Sequence, residues 1–257
     1  MTKSKKTEYR APALEKGLDI LELLAQQEDP LNKKQISESL NRSVNEIFRM
    51  LTVLEERQYI EFDKESSNYR LTLKMFALSN QHPPIEKLLK NASSLMEKLC
   101  HQVNQSCHLC RYQNNELVVI AREESPYKMG FSLKVGSKVD VCSSGSGIVL
   151  LSYKSEKERT EILSQSGATQ EQIEHALSYV ESTLKNGYCI AVSPQISGVT
   201  NMSCPIFGAT GDILAILTIP YMTIDSRTVH HHIENIEQTT EELQKTAQKL
   251  SQNLNLI

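Results

Sequence analysis

The chain has 257 residues, 39% of them hydrophobic and 23% charged, with a formal net charge of −3. That length suits one large domain or two modest ones, and the balance predicts a folded, soluble protein. No apolar run approaches the roughly 18 residues that span a bilayer, and the first twenty residues lack an apolar signal core, so a cytoplasmic protein without a membrane partner is expected.

Residues 1–10 gather Lys3, Lys5, Lys6 and Arg10 against Glu8 alone, which predicts a basic arm. From Ala13 to Ala25, the spacing of Leu14, Leu18, Leu21 and Ala25 predicts an amphipathic helix. Asn32 and Gln35 fit a capping box that opens a short second helix burying Ile36 and Leu40. Ser43 and Glu46 fit another, starting a third helix with Ile47, Met50, Leu51 and Leu54 turned inward. An alternating run, Tyr59 to Phe62, a polar turn and a second extended run, Tyr69 to Leu71, predict a hairpin. Three helices with a tight second connection, then a hairpin, is the order of a winged helix-turn-helix, here residues 1–80.

Leu73 to Ser79 is helical in pattern, and His82-Pro83-Pro84 is expected to interrupt it. Leu88, Leu89, Ala92, Leu95, Met96 and Leu99 then form a stripe that predicts a linker helix within 81–104. Beyond it, Cys107 to Tyr112 and Leu117 to Arg122 flank Asn114-Asn115 as a hairpin, and Met129 to Val135 is expected to be extended. Ser144-Gly145-Ser146-Gly147 leads into an apolar run. Helices over Lys154 to Gln165 and Gln170 to Asn186 follow. Strands over Tyr188 to Val192, Ser203 to Phe207 and Ile213 to Pro220 precede a terminal helix from about Asp225 to Leu254. An antiparallel sheet flanked by helices predicts an α+β sensor domain over 105–257.

Three blocks carry a resemblance. Ala13 to Leu21, Arg42 to Leu51 with Tyr69-Arg70-Leu71, and Gly136, Ser146-Gly147, Gly187-Tyr188 and Cys204 to Phe207 occur in order along nearly the whole chain. In these the sequence resembles the IclR family of bacterial regulators. The resemblance implies a winged helix-turn-helix, a linker helix and a GAF-like effector domain, working as a homodimer that can pair into a tetramer. It implies a sequence-specific regulator of transcription, repression slightly favoured over activation. Departures from the family pattern stand at Asp140, Val141 and Cys142, where it usually has Pro-Leu-His. They stand also at Ile148 in place of a lysine, and at Ala191 and Asn201 near the implied pocket. Those changes leave the ligand's identity open.

For duplex DNA, neither half of the chain is basic in bulk: residues 1–80 carry 13 basic and 13 acidic side chains, the remainder 15 and 18. Contacts must therefore come from local placement. The outward set on the third helix is Arg42, Ser43, Asn45, Glu46 and Arg49, with arginine suited to guanine and asparagine to adenine. Lys33 and Lys34 begin the second helix, Lys64 sits at the wing tip, and Arg10 belongs to the basic arm. The bland alternative is a solvated polar helix face. The helix-turn-helix order favours the DNA reading.

For the effector, Gly145 and Ser146 open a helix whose free N–H groups suit a carboxylate. Met129, Phe131, Leu133 and Val141 are expected to close the apolar side, and the resemblance places Ala191, Asn201 and Thr218 at the sheet edge. A small organic acid is the expected ligand, with no cofactor and no metal. Cys107-His108-Leu109-Cys110 invites a metal or redox reading, but on a strand a spacing of three puts the sulfurs on opposite faces. His230-His231-His232 on a helix point in different directions. A redox- or metal-responsive regulator of the same fold remains open, as does a cysteine-based sensor-domain enzyme. Against an enzyme, no nucleophile elbow or phosphate loop surrounds Ser144 to Gly147.

Overall fold

Helix α1 (Pro12–Ala25) starts on a proline, whose missing N–H is harmless in a first turn. In the computed structural model, residues 11–81, 83–128, 130–194, 196–223 and 235–255 are described. Arg10, Met129 and the histidines at 230–232 lie outside them. The chain divides into two units, residues 1–83 and 84–257.

In the first unit, α1 is followed by β1 (Leu31–Asn32), α2 (Lys33–Ser39), α3 (Val44–Glu56), β2 (Ile60–Asp63), β3 (Asn68–Leu71) and α4 (Lys74–Asn80). Both expected capping boxes form: Asn32 with Gln35 ahead of α2, and Ser43 with Glu46 ahead of α3. Asn41, at φ 50°, reverses the chain between these helices, and the Arg42 N–H donates to the Ser37 carbonyl at 3.0 Å. The wing is a three-stranded antiparallel sheet, because the short β1 pairs with β3 as β2 does. The core holds Ile20, Leu21, Leu24, Ile36, Ile47, Leu51, Ile60 and Tyr69. The stripe expected on α1 needs correction. Ile20, Leu21 and Leu24 face inward, whereas Leu14 and Leu18 are 63% and 47% exposed. The helix carries two apolar faces, and the sequence spacing mixed them.

The second unit opens with α5 (Pro83–Val103): α4 ends at Asn80, ahead of the prolines, as expected, and the same prolines begin the next helix. Along α5, Leu88, Ala92, Met96, Leu99 and Val103 are fully buried in this unit's core. Next come β4 (Cys107–Gln113), β5 (Glu116–Glu123), β6 (Lys138–Val139), α6 (Gly145–Tyr153), α7 (Glu156–Gln165), α8 (Gln170–Ser178) and α9 (Val180–Asn186). The chain ends with β7 (Cys189–Val192), β8 (Val199–Phe207), β9 (Ile213–Met222) and α10 (Ile236–Asn255). The tight turn at Asn114 and Asn115 has φ of 52° and 65°, a conformation asparagine tolerates. The stretch expected to be extended before Gly136 forms no strand among its described residues, and the long helix expected over 170–186 is split at Tyr179.

The six strands form one antiparallel sheet in the order β6-β5-β4-β9-β8-β7. Alternation gives it two faces. Leu217 and Ile219 of β9 point with Cys107 and Leu109 of β4 into a core shared with α5 and α10. Ile216 and Cys110 face the other way, into a second core containing the apolar run of α6. Cys107 and Cys110 thus lie in different layers.

Candidate functional sites

On the first unit, α3 presents Ser43, Asn45 and Arg49 exposed. Two other members of the expected DNA-reading set are engaged by α1. Arg42 Nη2 donates to Asp19 at 2.7 Å, and Lys16 Nζ donates to Glu46 at 2.7 Å. Glu46 also accepts from the Ser43 N–H and hydroxyl in the capping box, and the Lys16 bond, with the Ser43 bonds after it, lowers its carboxyl pKa to about 2. These bonds tie α3 to α1 and leave the Glu46 side chain 45% exposed. Arg42 is tied to α1 likewise, with its Nε buried and lacking an acceptor among the described residues. Lys33 is half-buried, its ammonium 4.4 Å from the Phe48 ring centre, and Lys34 is exposed beside Glu38. Lys64 is exposed at a wing tip whose bend is fixed by Asp63, which accepts from the Glu65 N–H and the Ser66 hydroxyl.

On the second unit, a cavity of about 90 Å³ lies between the start of α6 and the sheet. Gly145, Ser146, Asn201, Thr218, Phe131 and Leu133 line it as expected. Val141 and Ala191 do not. Val141, in the turn before α6, and Ala191, though paired with Asn201, both pack into the α6-side core. Sequence reasoning missed His108, Asp140, Ser143, Ser144, Ser193 and Ile196.

Asp140 builds the turn: its carboxylate accepts from the Cys142 and Ser143 N–H groups at 2.9 and 2.7 Å. Ser144 caps α6, accepting from the Gly147 N–H at 3.0 Å, while the first-turn amides of Gly145 and Ser146 have no intrahelical acceptor. The helix start is wedged. A Cβ on Gly147 would lie 2.1 Å from the Val141 carbonyl oxygen, and one on Gly145 would lie 2.7 Å from Ser203 Oγ.

Beneath that start, Thr218 Oγ1 is 2.8 Å from Ser146 Oγ and 2.7 Å from Ser203 Oγ, all three buried. Thr218 pairs directly with His108 on β4 and with Ser203 on β8, so the register sets imidazole and hydroxyls in one row across three strands. His108 is 3% exposed, and its Nδ1 has no hydrogen-bond partner among the described residues. Burial lowers its pKa to about 4, so the ring is neutral at physiological pH. The floor is polar and uncharged, with Lys138 and Asp140 exposed at the rim. Among the described residues no group of three or more histidine, cysteine or acidic side chains is placed to hold a metal ion. No described helix is long and apolar enough to cross a membrane.

Comparison with known proteins agrees with both halves. The chain is 26% identical over 219 residues to the transcriptional regulator KdgR of Dickeya chrysanthemi, covering 81% of this chain and 70% of that protein. It is 23% identical to the transcriptional repressor AllR of Salmonella typhimurium, covering 81% and 79%. In fold it is similar to an IclR homologue of Microbacterium hydrocarbonoxydans crystallised with 4-hydroxybenzoate, with a TM-score of 0.80, 18% identity and coverage of 95% and 100%. The IclR of Thermotoga maritima gives a TM-score of 0.72 at 23% identity, covering 94% and 98%. Residues 13–64 match the IclR helix-turn-helix domain, and residues 85–252 match the family described as bacterial transcriptional regulator IclR C-terminal. With two thirds of its length in that second match and its DNA-binding domain in the first, the chain belongs to the IclR family of DNA-binding transcriptional regulators.

Proposed function

We propose that this regulator is a cytoplasmic, ligand-released repressor whose effector is a small organic acid bound between the start of α6 and β9. The observation that carries this reading is His108, a buried neutral imidazole with an unpartnered Nδ1 on the wall of the cavity. A buried polar atom without a partner is costly, and a ligand that supplies one gains that energy on binding. The carboxylate meets the free amides of Gly145 and Ser146 and the Ser146–Thr218 hydroxyl pair. A second hydrogen-bonding group on the ligand meets His108. The Microbacterium homologue was crystallised with an acid that also carries a hydroxyl, which supports this class without naming the ligand here.

The protein acts as a dimer on a near-palindromic operator, since two-fold proteins read two-fold sites. The exposed Leu14 and Leu18 on α1 supply an apolar face for pairing, and dimers associate further into tetramers. Calorimetry of the full-length protein against a panel of small hydroxy and oxo acids is the test, followed by footprinting with any acid that binds. Binding lost in both Ser146→Trp and His108→Leu, together with release of operator by the acid, is the expected result. Binding that survives both substitutions places the effector elsewhere.

A further inference from the structure

With Arg42 and Glu46 engaged by α1, the groove-facing stripe of α3 reduces to Asn45, Phe48, Arg49 and Thr52, at spacings of three, four and seven. The aromatic member belongs to none of the expected DNA-reading residues. Phe48 is 50% exposed, and Val44, one turn before it, is 42% exposed. An apolar pair on the reading helix, beside a guanine- or adenine-reading Arg49 and Asn45, needs an apolar partner in the groove. Only one base edge there offers such a surface, the 5-methyl group of thymine. The Thr52 hydroxyl, one turn on, is turned back to the helix, donating to the Phe48 carbonyl at 3.1 Å. The Lys33 ammonium, 4.4 Å from the Phe48 ring centre, is anchored by the ring and keeps its charge for a neighbouring phosphate.

We infer that Phe48 reads thymine methyl groups in the major groove of each half-site, and that Lys33, seated on its ring, fixes the adjacent backbone. The inference rests on α3 being the DNA-reading helix, and its test separates the two.

Full-length protein is used to select duplexes from a random pool, and each thymine of the selected site is then replaced singly by deoxyuridine, which removes only the methyl group. One or two thymines per half-site should lose about fourfold in affinity on this change, the size of one apolar contact. Phe48→Ala should weaken binding to the thymine site, cease to distinguish uracil from thymine there, and select sites without that thymine. Phe48→Leu should keep part of the discrimination. Lys33→Ala should weaken binding to all sequences alike and reduce the salt dependence by about one phosphate contact. Because Phe48 is half exposed, its variants should melt as the parent does, which separates reading from folding.

Indifference to uracil at every position overturns the inference while leaving the DNA-reading helix intact. So does unchanged selection by Phe48→Ala, the result expected if the ring docks on protein instead. Failure to enrich any sequence overturns the assignment of α3 as well.

Discussion

Arg42 reaches from the turn before α3 to Asp19 on α1, 2.7 Å away, and so ties the reading helix to α1. Arg42→Ala should leave the base preferences of a selected operator unchanged and destabilise the protein by up to about 1 kcal/mol, the range of a partly exposed ion pair. Arg49→Ala or Asn45→Ala should do the reverse, costing about 1–3 kcal/mol at one base position with little change in melting. Selection experiments on the three variants, alongside thermal denaturation, check the division. A base preference lost in Arg42→Ala would return that residue to the DNA.

Gly147 and Gly17 should respond oppositely to alanine. At Gly147 the new methyl would lie 2.1 Å from a backbone oxygen, so the chain must shift, at a cost of about 1–3 kcal/mol or more. At Gly17, inside α1, nothing lies within 4 Å of the new methyl, and the gain in helix propensity should stabilise by about 0.5–1 kcal/mol. Urea titrations of both variants would show the signs.

His108 predicts a pH dependence. Its folded pKa of about 4 lies below the ordinary 6.5, so between those values the unfolded chain binds a proton that the folded chain refuses. The folded state therefore loses stability as pH falls from about 6.5 to 4, by on the order of 3 kcal/mol in all, and nothing changes above that window. The difference in unfolding free energy between parent and His108→Gln, followed across pH 4–8, isolates this contribution. A flat difference would mean that the ring is not buried neutral.

All six cysteines are buried, and Cys100 Sγ lies 3.4 Å from Cys107 Sγ. The Cys100 contact and burial push the Cys107 thiol well up, and burial raises Cys110 and Cys204 to about 12, so the reactive thiolate is scarce. Ellman's reagent should find almost no thiol in the native protein and six after denaturation. Rapid native reaction at any of them would favour a redox-responsive regulator.

The helix-turn-helix was legible because its signals are local: two capping boxes four to eleven residues apart from their helices' buried faces announce α2 and α3 in the sequence itself. The α1 partners of Arg42 and Glu46 were not, since each lies more than twenty residues away in the chain. The helix start at Gly145 and Ser146 was legible from its glycines and serines. His108 was not, because it sits between two cysteines that suggest other chemistry, and only the register with Thr218 carries it to the cavity wall. Val141 was placed on that wall by its apolar character, yet its carbonyl backs Gly147 instead. Phe48 broke the inward apolar pattern of α3, a signal present in the sequence and passed over.

Strand β9 lines the cavity with Thr218 and Pro220, and lends Leu217 and Ile219 to the layer shared with α5 and α10. The partition between the chamber and that layer is one strand thick. A ligand in the chamber would bear on the same backbone that carries Leu217 and Ile219. Leu217→Ala, which removes nothing from the chamber wall, should therefore leave an acid's affinity nearly unchanged while weakening its power to release DNA.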